Sequence, residues 1–144
     1  MELQRIDSIS LKEEYLLKIW EDYVLENIVE ANSCQMAIFD RRTKRLIIGT
    51  DNFKIQACEL SHIAEGVMYP DLVYRNGVTV CGRHYEVRLA DGKQGIYARM
   101  DEYGCTVCRT QSLLLICIND SRAVASECNE QVMKLGDFLF QAGM

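Results

Sequence analysis

From residue 76 to residue 118 the hydrophobic pattern runs at period two and is cut into short pieces by turn signals. No other feature of the chain constrains its fold so tightly. The runs are residues 78–81, 84–90, 94–100, 104–110 and 112–118, separated at Asn76-Gly77, Cys81-Gly82, Asp91-Gly92 and Tyr103-Gly104. Alternation at period two describes strands with one face buried, and connections this short leave no room for a crossover. Successive strands must therefore pair antiparallel, as a meander. Upstream, residues 35–40 and 45–50 flank Arg41-Arg42-Thr43-Lys44-Arg45 and read as a β-hairpin.

The remaining segments carry helical spacing. Residues 11–31 contain Leu16, Leu17, Ile19, Trp20, Tyr23, Val24, Leu25, Ile28 and Val29, with no Pro or Gly. Ser10 with Glu13 forms a candidate capping pair at its start. This apolar surface is wider than a stripe that only packs on a core, so something is left over outside. Residues 57–68 put Leu60, Ile63, Ala64 and Val67 on one face. In residues 123–141 the stripe is Val124, Cys128, Val132, Leu135 and Leu139, with Phe138, Phe140 and Met144 off it. The expected architecture is α+β: a central antiparallel β-sheet, N- and C-terminal helices on one face, a further helix on the other. A chain of 144 residues fits one such domain.

Composition narrows the function. Sixteen basic against 21 acidic residues give a net charge of -5, which argues against a nucleic-acid binder. The basic run at residues 41–45 reads first as a solvated hairpin turn and second as a phosphate patch. The longest apolar run, residues 113–118, is too short to be a transmembrane segment. The N-terminal segment lacks the apolar core of a signal peptide. Seven cysteines without such a signal read as reduced cytosolic thiols. Cys105 and Cys108 have metal or redox spacing, but on a strand an odd separation sends the sulfurs to opposite faces, so no metal site is expected there. There is no phosphate loop and no nucleophile elbow. His62 and His84 lie in different elements and pair with no carboxylate visible in the sequence. Neither an enzyme nor a cofactor is expected. Trp20 and Tyr23, three apart on one helix, offer an aromatic wall, and Phe138, Phe140 and Met144 an opposing one. An aromatic groove of this kind suits a polyproline II ligand, although pattern alone favours Trp20 and Tyr23 as core.

Five stretches resemble one family. Residues 128–144, with Cys128-Asn129, Val132, Leu135-Gly136-Asp137-Phe138-Leu139 and Gly143-Met144, resemble the closing helix of profilins, most closely plant ones. Residues 76–85 resemble that family's glycine-rich strand turn, and residues 104–110 with Leu113 onward its following strand pair. Trp20-Glu21-Asp22-Tyr23-Val24 is similar to the opening of its first helix, and Ala37-Ile38-Phe39 to its first strand. The resemblance covers residues 17–144 and leaves residues 1–16 as an N-terminal extension. It implies a cytoplasmic, cytoskeletal regulator of actin polymerisation that binds monomeric actin and proline-rich proteins. It also implies a polyproline groove of Trp20, Tyr23, Phe138 and Met144, with Leu46 where many members carry Trp. For the actin face it implies His84, Glu86, Arg99, Asn129, Glu130 and Lys134. Phosphoinositide binding would fall to Arg41, Arg42, Lys44 and Arg45. Glu86 and Glu130 depart from the family's usual residues. They raise an alternative: a divergent profilin acting as a polyproline or phosphoinositide adaptor with weak or no actin binding. Two rivals from other classes are a thiol enzyme using Cys105 or Cys108 and a longin-like or roadblock-like scaffold.

Overall fold

The computed structural model describes residues 11–120 and 122–144. The expected N-cap at Ser10, and the first ten residues of the expected extension, lie outside the described residues. The first helix runs as α1 (Leu11–Ile19) and continues from Trp20 to Glu30 in the wider winding of a π-helix. The hairpin follows as β1 (Cys34–Asp40) and β2 (Leu46–Gly49). Helix α2 (Ala57–Gly66) leads into α3 (Pro70–Asn76), and then into the meander. Its strands are β3 (Val78–Val80), β4 (Arg83–Ala90), β5 (Gly95–Met100), β6 (Tyr103–Arg109) and β7 (Leu113–Asn119). Helix α4 (Ala125–Gln141) closes the chain.

All seven strands form one antiparallel sheet in the order β2-β1-β7-β6-β5-β4-β3. The meander supplies five consecutive neighbours, and β1 joins by pairing with β7, Met36 opposite Cys117. On one face lie the two terminal helices, whose Leu16, Trp20, Val24, Ile28, Cys128, Val132, Leu135 and Leu139 share a core with Met36, Ile38, Cys108 and Leu115. On the other, Leu60, Ile63 and Val67 of α2 and its exit, with Val73 of α3, cover Val80, Tyr85, Val87, Ile96, Cys105 and Val107. Cys105 and Cys108 thus sit in different cores, as strand alternation requires.

Four local features differ from expectation. Helix α3 is additional; it starts at Pro70, whose missing N–H costs nothing in a first helical turn. The turn expected at Tyr103-Gly104 falls earlier, with Asp101 at φ 54, and Gly104 is buried within β6. A Cβ on Gly104 would lie 2.7 Å from the Ala125 Cβ, so this glycine admits the start of α4 against the sheet. Val124 is the exposed residue before α4 and not part of its buried stripe. Finally, the 16/17 boundary of the expected extension falls inside α1: Leu16 is buried in the core and Glu13 pairs with Arg45.

Candidate functional site

Helix α4 approaches the sheet closely because Gly136 has no side chain; a Cβ there would meet the Cys108 Sγ at 2.1 Å. The approach fixes which residues of α4 face outward beside the first helix. Between the two helices runs a groove of about 520 Å³ lined by Ile19, Tyr23, Gln131, Lys134, Leu135 and Phe138. Tyr23 is 50% exposed and Phe138 52%. One aromatic ring from each end of the chain therefore lines a water-facing channel, with Ile19 and Leu135 as apolar partners. Gln131 accepts a 2.5 Å hydrogen bond from Asn32 Nδ2, which anchors α4 to the end of the first helix.

Of the five residues expected in this groove, the structure brings Tyr23 and Phe138 together. Trp20 is only 4% exposed and belongs to the terminal-helix core. The reason lies in the winding. On an α-helix, positions three apart share a face. A π-helix holds more residues per turn, so positions three apart diverge, and Trp20 turns inward where Tyr23 turns outward. Met144 is 2% exposed, also in the core. Its main-chain oxygen accepts bonds from Ser112 N and Oγ, both at 2.6 Å, and from Thr110 Oγ1 at 3.0 Å. This latch draws the side chain under the β6–β7 turn. Leu46 is 53% exposed on β2 and does not line the groove. Ile19, Gln131 and Leu135 were not foreseen. Ile19 stands four residues before Tyr23, and Leu135 three before Phe138, the helical spacings that could have flagged them.

The second candidate surface is the part of the sheet that α4 leaves open. Tyr85 and Val87 point into the α2/α3 core, so His84 and Glu86 point to the terminal-helix side. Glu86 is paired in register with Arg99, and its carboxylate lies 3.9 Å from Arg88. Arg99 donates to the Asp101 carbonyl at 2.8 Å. A bulge in β4 puts Leu89 opposite Tyr97, and these two meet Asn129 and Met133 of α4 in a shallow depression. Asn129 is held by a 2.9 Å bond donated by Thr106 Oγ1. Glu130 is exposed, and Lys134 lines both the aromatic groove and the depression next to Asn129 and Glu130. The six residues expected at the actin face accordingly run along one side of the molecule, from β4 through β5 to α4.

The four hairpin cations divide. Arg41 donates to the Thr110 carbonyl at 2.9 Å, and partial burial, with Arg109 nearby, pulls its pKa down. Arg45 is ion-paired to Glu13. Arg42 and Lys44 are exposed at the tip. Backbone N–H groups of Arg42 and Thr43 donate to Asp40 and hold its carboxyl below the ordinary range, with the Thr43 bond the larger cause.

The family model described as Profilin matches residues 18–144. The chain belongs to the profilin family. Profilin-1 of Dictyostelium discoideum is 27% identical over 124 residues, covering 86% of this chain and 98% of that protein. Profilin IB of Acanthamoeba castellanii superposes with a TM-score of 0.76 at 22% identity, covering 87% of this chain and 99% of that one. Mouse profilin IIa, solved in complex with a double repeat from the FH1 domain of mDia1, has a TM-score of 0.65 at 16% identity, over 87% and 99% of the two chains. Profilins are actin-binding proteins without enzymatic activity, and this profilin has the family's curled antiparallel sheet between helices. Among the described residues no helix is long and apolar enough to cross a membrane.

Proposed function

We propose that this profilin binds proline-rich segments in the Tyr23–Phe138 groove and monomeric actin on the β4–β5–α4 side, and so regulates filament growth in the cytoplasm by presenting one partner to the other. The observation that carries the reading is the pair of half-exposed rings facing one groove from opposite chain ends. A polyproline II segment is preformed, has no internal hydrogen bonds and is recognised by stacking on such rings. The FH1-domain double repeat bound to mouse profilin IIa supports a peptide ligand here as well. Lys134 lies between the two surfaces and contributes to both.

The test of the groove is a calorimetric titration with a polyproline peptide. Phe138→Ala is expected to weaken binding at least about tenfold, which is about 1.4 kcal/mol. Equal affinity in the variant and the unaltered protein would remove this reading.

A second reading keeps the groove and reduces actin affinity, because Glu130 is exposed on α4 where it departs from the family's usual residue, and opposed charges set specificity at an interface. Glu86 argues less strongly for it, since Arg88 and Arg99 stand beside it. Titrating labelled actin monomers against the protein and Glu130→Lys separates the two. Binding by the unaltered protein at micromolar concentration supports the first reading; binding gained only by the variant supports the second. Phosphoinositides would meet the exposed Arg42 and Lys44 at the hairpin tip, with Arg41 and Arg45 held nearby.

A further inference from the structure

Three thiols in the terminal-helix core are brought together from distant parts of the chain. Cys34 opens β1, Cys117 lies on β7 and Cys128 sits in the first turn of α4. Their sulfurs all lie within 4.8 Å of one another. The Sγ atoms of Cys117 and Cys128 are 3.5 Å apart, and the Cys34 thiol donates to the Ile28 carbonyl at 3.5 Å. None of the three residues is more than 5% exposed. No His, Asp or Glu joins the cluster among the described residues.

The geometry points to a centre that takes three sulfurs and nothing else. A three-coordinate centre that keeps a lone pair is pyramidal, and with bonds of about 2.3 Å to sulfur at angles of about 100° it holds its sulfurs about 3.5 Å apart. Cys117 and Cys128 already stand at 3.5 Å, and Cys34 lies within 4.8 Å of both. Zinc would need a fourth ligand, and the cluster offers neither a side chain nor an open route for water. Charge selects further. Three thiolates around zinc or copper(I) leave a net negative charge in an apolar core, which is costly without a partner. Around a trivalent centre they leave none.

We propose that Cys34, Cys117 and Cys128 form a trigonal all-sulfur site for a soft, three-coordinate centre, and that trivalent arsenic matches it in valence as well as geometry. Arsenous acid would enter by exchange. Three As–O bonds break and three As–S bonds form, and each thiol proton leaves with a hydroxyl as water, so three waters are released and no electron moves. Cys128 lies three residues inside the start of α4, so opening that helix end exposes the site.

The experiment treats the folded full-length protein with arsenous acid and follows thermal unfolding and intact mass. One arsenic per chain with loss of three hydrogens is expected, together with a rise in melting temperature, because the ligand binds the folded state. An unfolded chain with seven cysteines also takes arsenic, so a fall in melting temperature would place the binding there and overturn the proposal. Cys128→Ala should abolish the rise and Cys58→Ala, an exposed thiol outside the cluster, should leave it intact. A rise that follows Cys58 contradicts the assignment. Absorption spectroscopy at the arsenic edge of the unaltered protein needs no variant: three sulfur neighbours support the site, and two sulfurs with an oxygen refute it. Zinc(II) in parallel should give no rise; a larger rise with zinc than with arsenous acid defeats the argument from valence.

Discussion

The two faces of the sheet bury similar apolar side chains and finish them differently. On the α2/α3 face the layer is fastened by a carboxylate. Glu59, 7% exposed, accepts bonds from the backbone N–H groups of Gln56 and Cys81 at 3.0 Å and of Gly82 at 2.9 Å. It caps α2 and ties that helix to the β3–β4 turn at once. On the terminal-helix face, among the described residues, no buried carboxylate does this, and neutral bonds fasten the layer instead: Asn32 to Gln131, Thr106 to Asn129, and Thr110 and Ser112 to the Met144 carbonyl. There Trp20 and Met144 fill the interior while Tyr23 and Phe138, a few residues away, are left in water. One face is fastened by a buried carboxylate; the other is fastened by neutral bonds and leaves Tyr23 and Phe138 facing one groove.

The comparison breaks first at Trp20. Trp20→Ala removes a buried indole and is expected to cost about 3–5 kcal/mol, whereas Tyr23→Ala should change stability by about 0.5 kcal/mol or less. Urea unfolding of both variants measures the contrast, and similar losses would place both rings in one environment. Next comes Glu59→Ala. It leaves three backbone donors without their acceptor and is expected to cost about 2–3 kcal/mol. Affinity for a proline-rich peptide, measured at a temperature where the variant stays folded, should be unchanged.

The smallest effect concerns acid. Burial pushes the Asp91 carboxyl up, but N–H bonds from Gln94, Lys93 and Gly95 outweigh it and leave the pKa below the ordinary range. A carboxyl with a depressed folded-state pKa stabilises the fold above its unfolded value, and that contribution is lost as pH falls through the folded one. Asp40, bonded mainly by Thr43, behaves in the same direction at the basic hairpin. Asp91→Asn should therefore lower stability by about 1 kcal/mol at neutral pH and flatten the acid limb of the stability curve. An unchanged limb would assign the acid sensitivity to other groups.

Sequence periodicity carried the sheet because alternation and short turns leave few ways to pair strands. It placed Phe138 off the buried stripe of its helix, but pattern alone favoured Tyr23 as core, and the pairing of the two rings came from the family resemblance. Pattern alone favoured Trp20 as core, where it lies; the family resemblance carried it into the groove, and the change of winding that separates it from Tyr23 leaves no mark in a list of apolar positions. Met144 was misplaced because its burial depends on Ser112 and Thr110, far away in sequence. Glu59 did leave a local signal, a Gln56-to-Glu59 capping spacing ahead of an apolar run, and this was readable. The thiol cluster left none, since Cys34 and Cys117 meet only through strand pairing.

The central claim is that the aromatic groove between the terminal helices is where proline-rich chain binds. Titrating a polyproline peptide into isotopically labelled protein and following backbone amide shifts tests it most directly. Shifts centred on Ile19, Tyr23, Lys134 and Phe138, with α2 and α3 silent, are the predicted result. Shifts centred on the exposed Tyr69, Leu72 and Tyr74 of the opposite face, with the groove unchanged, would contradict it.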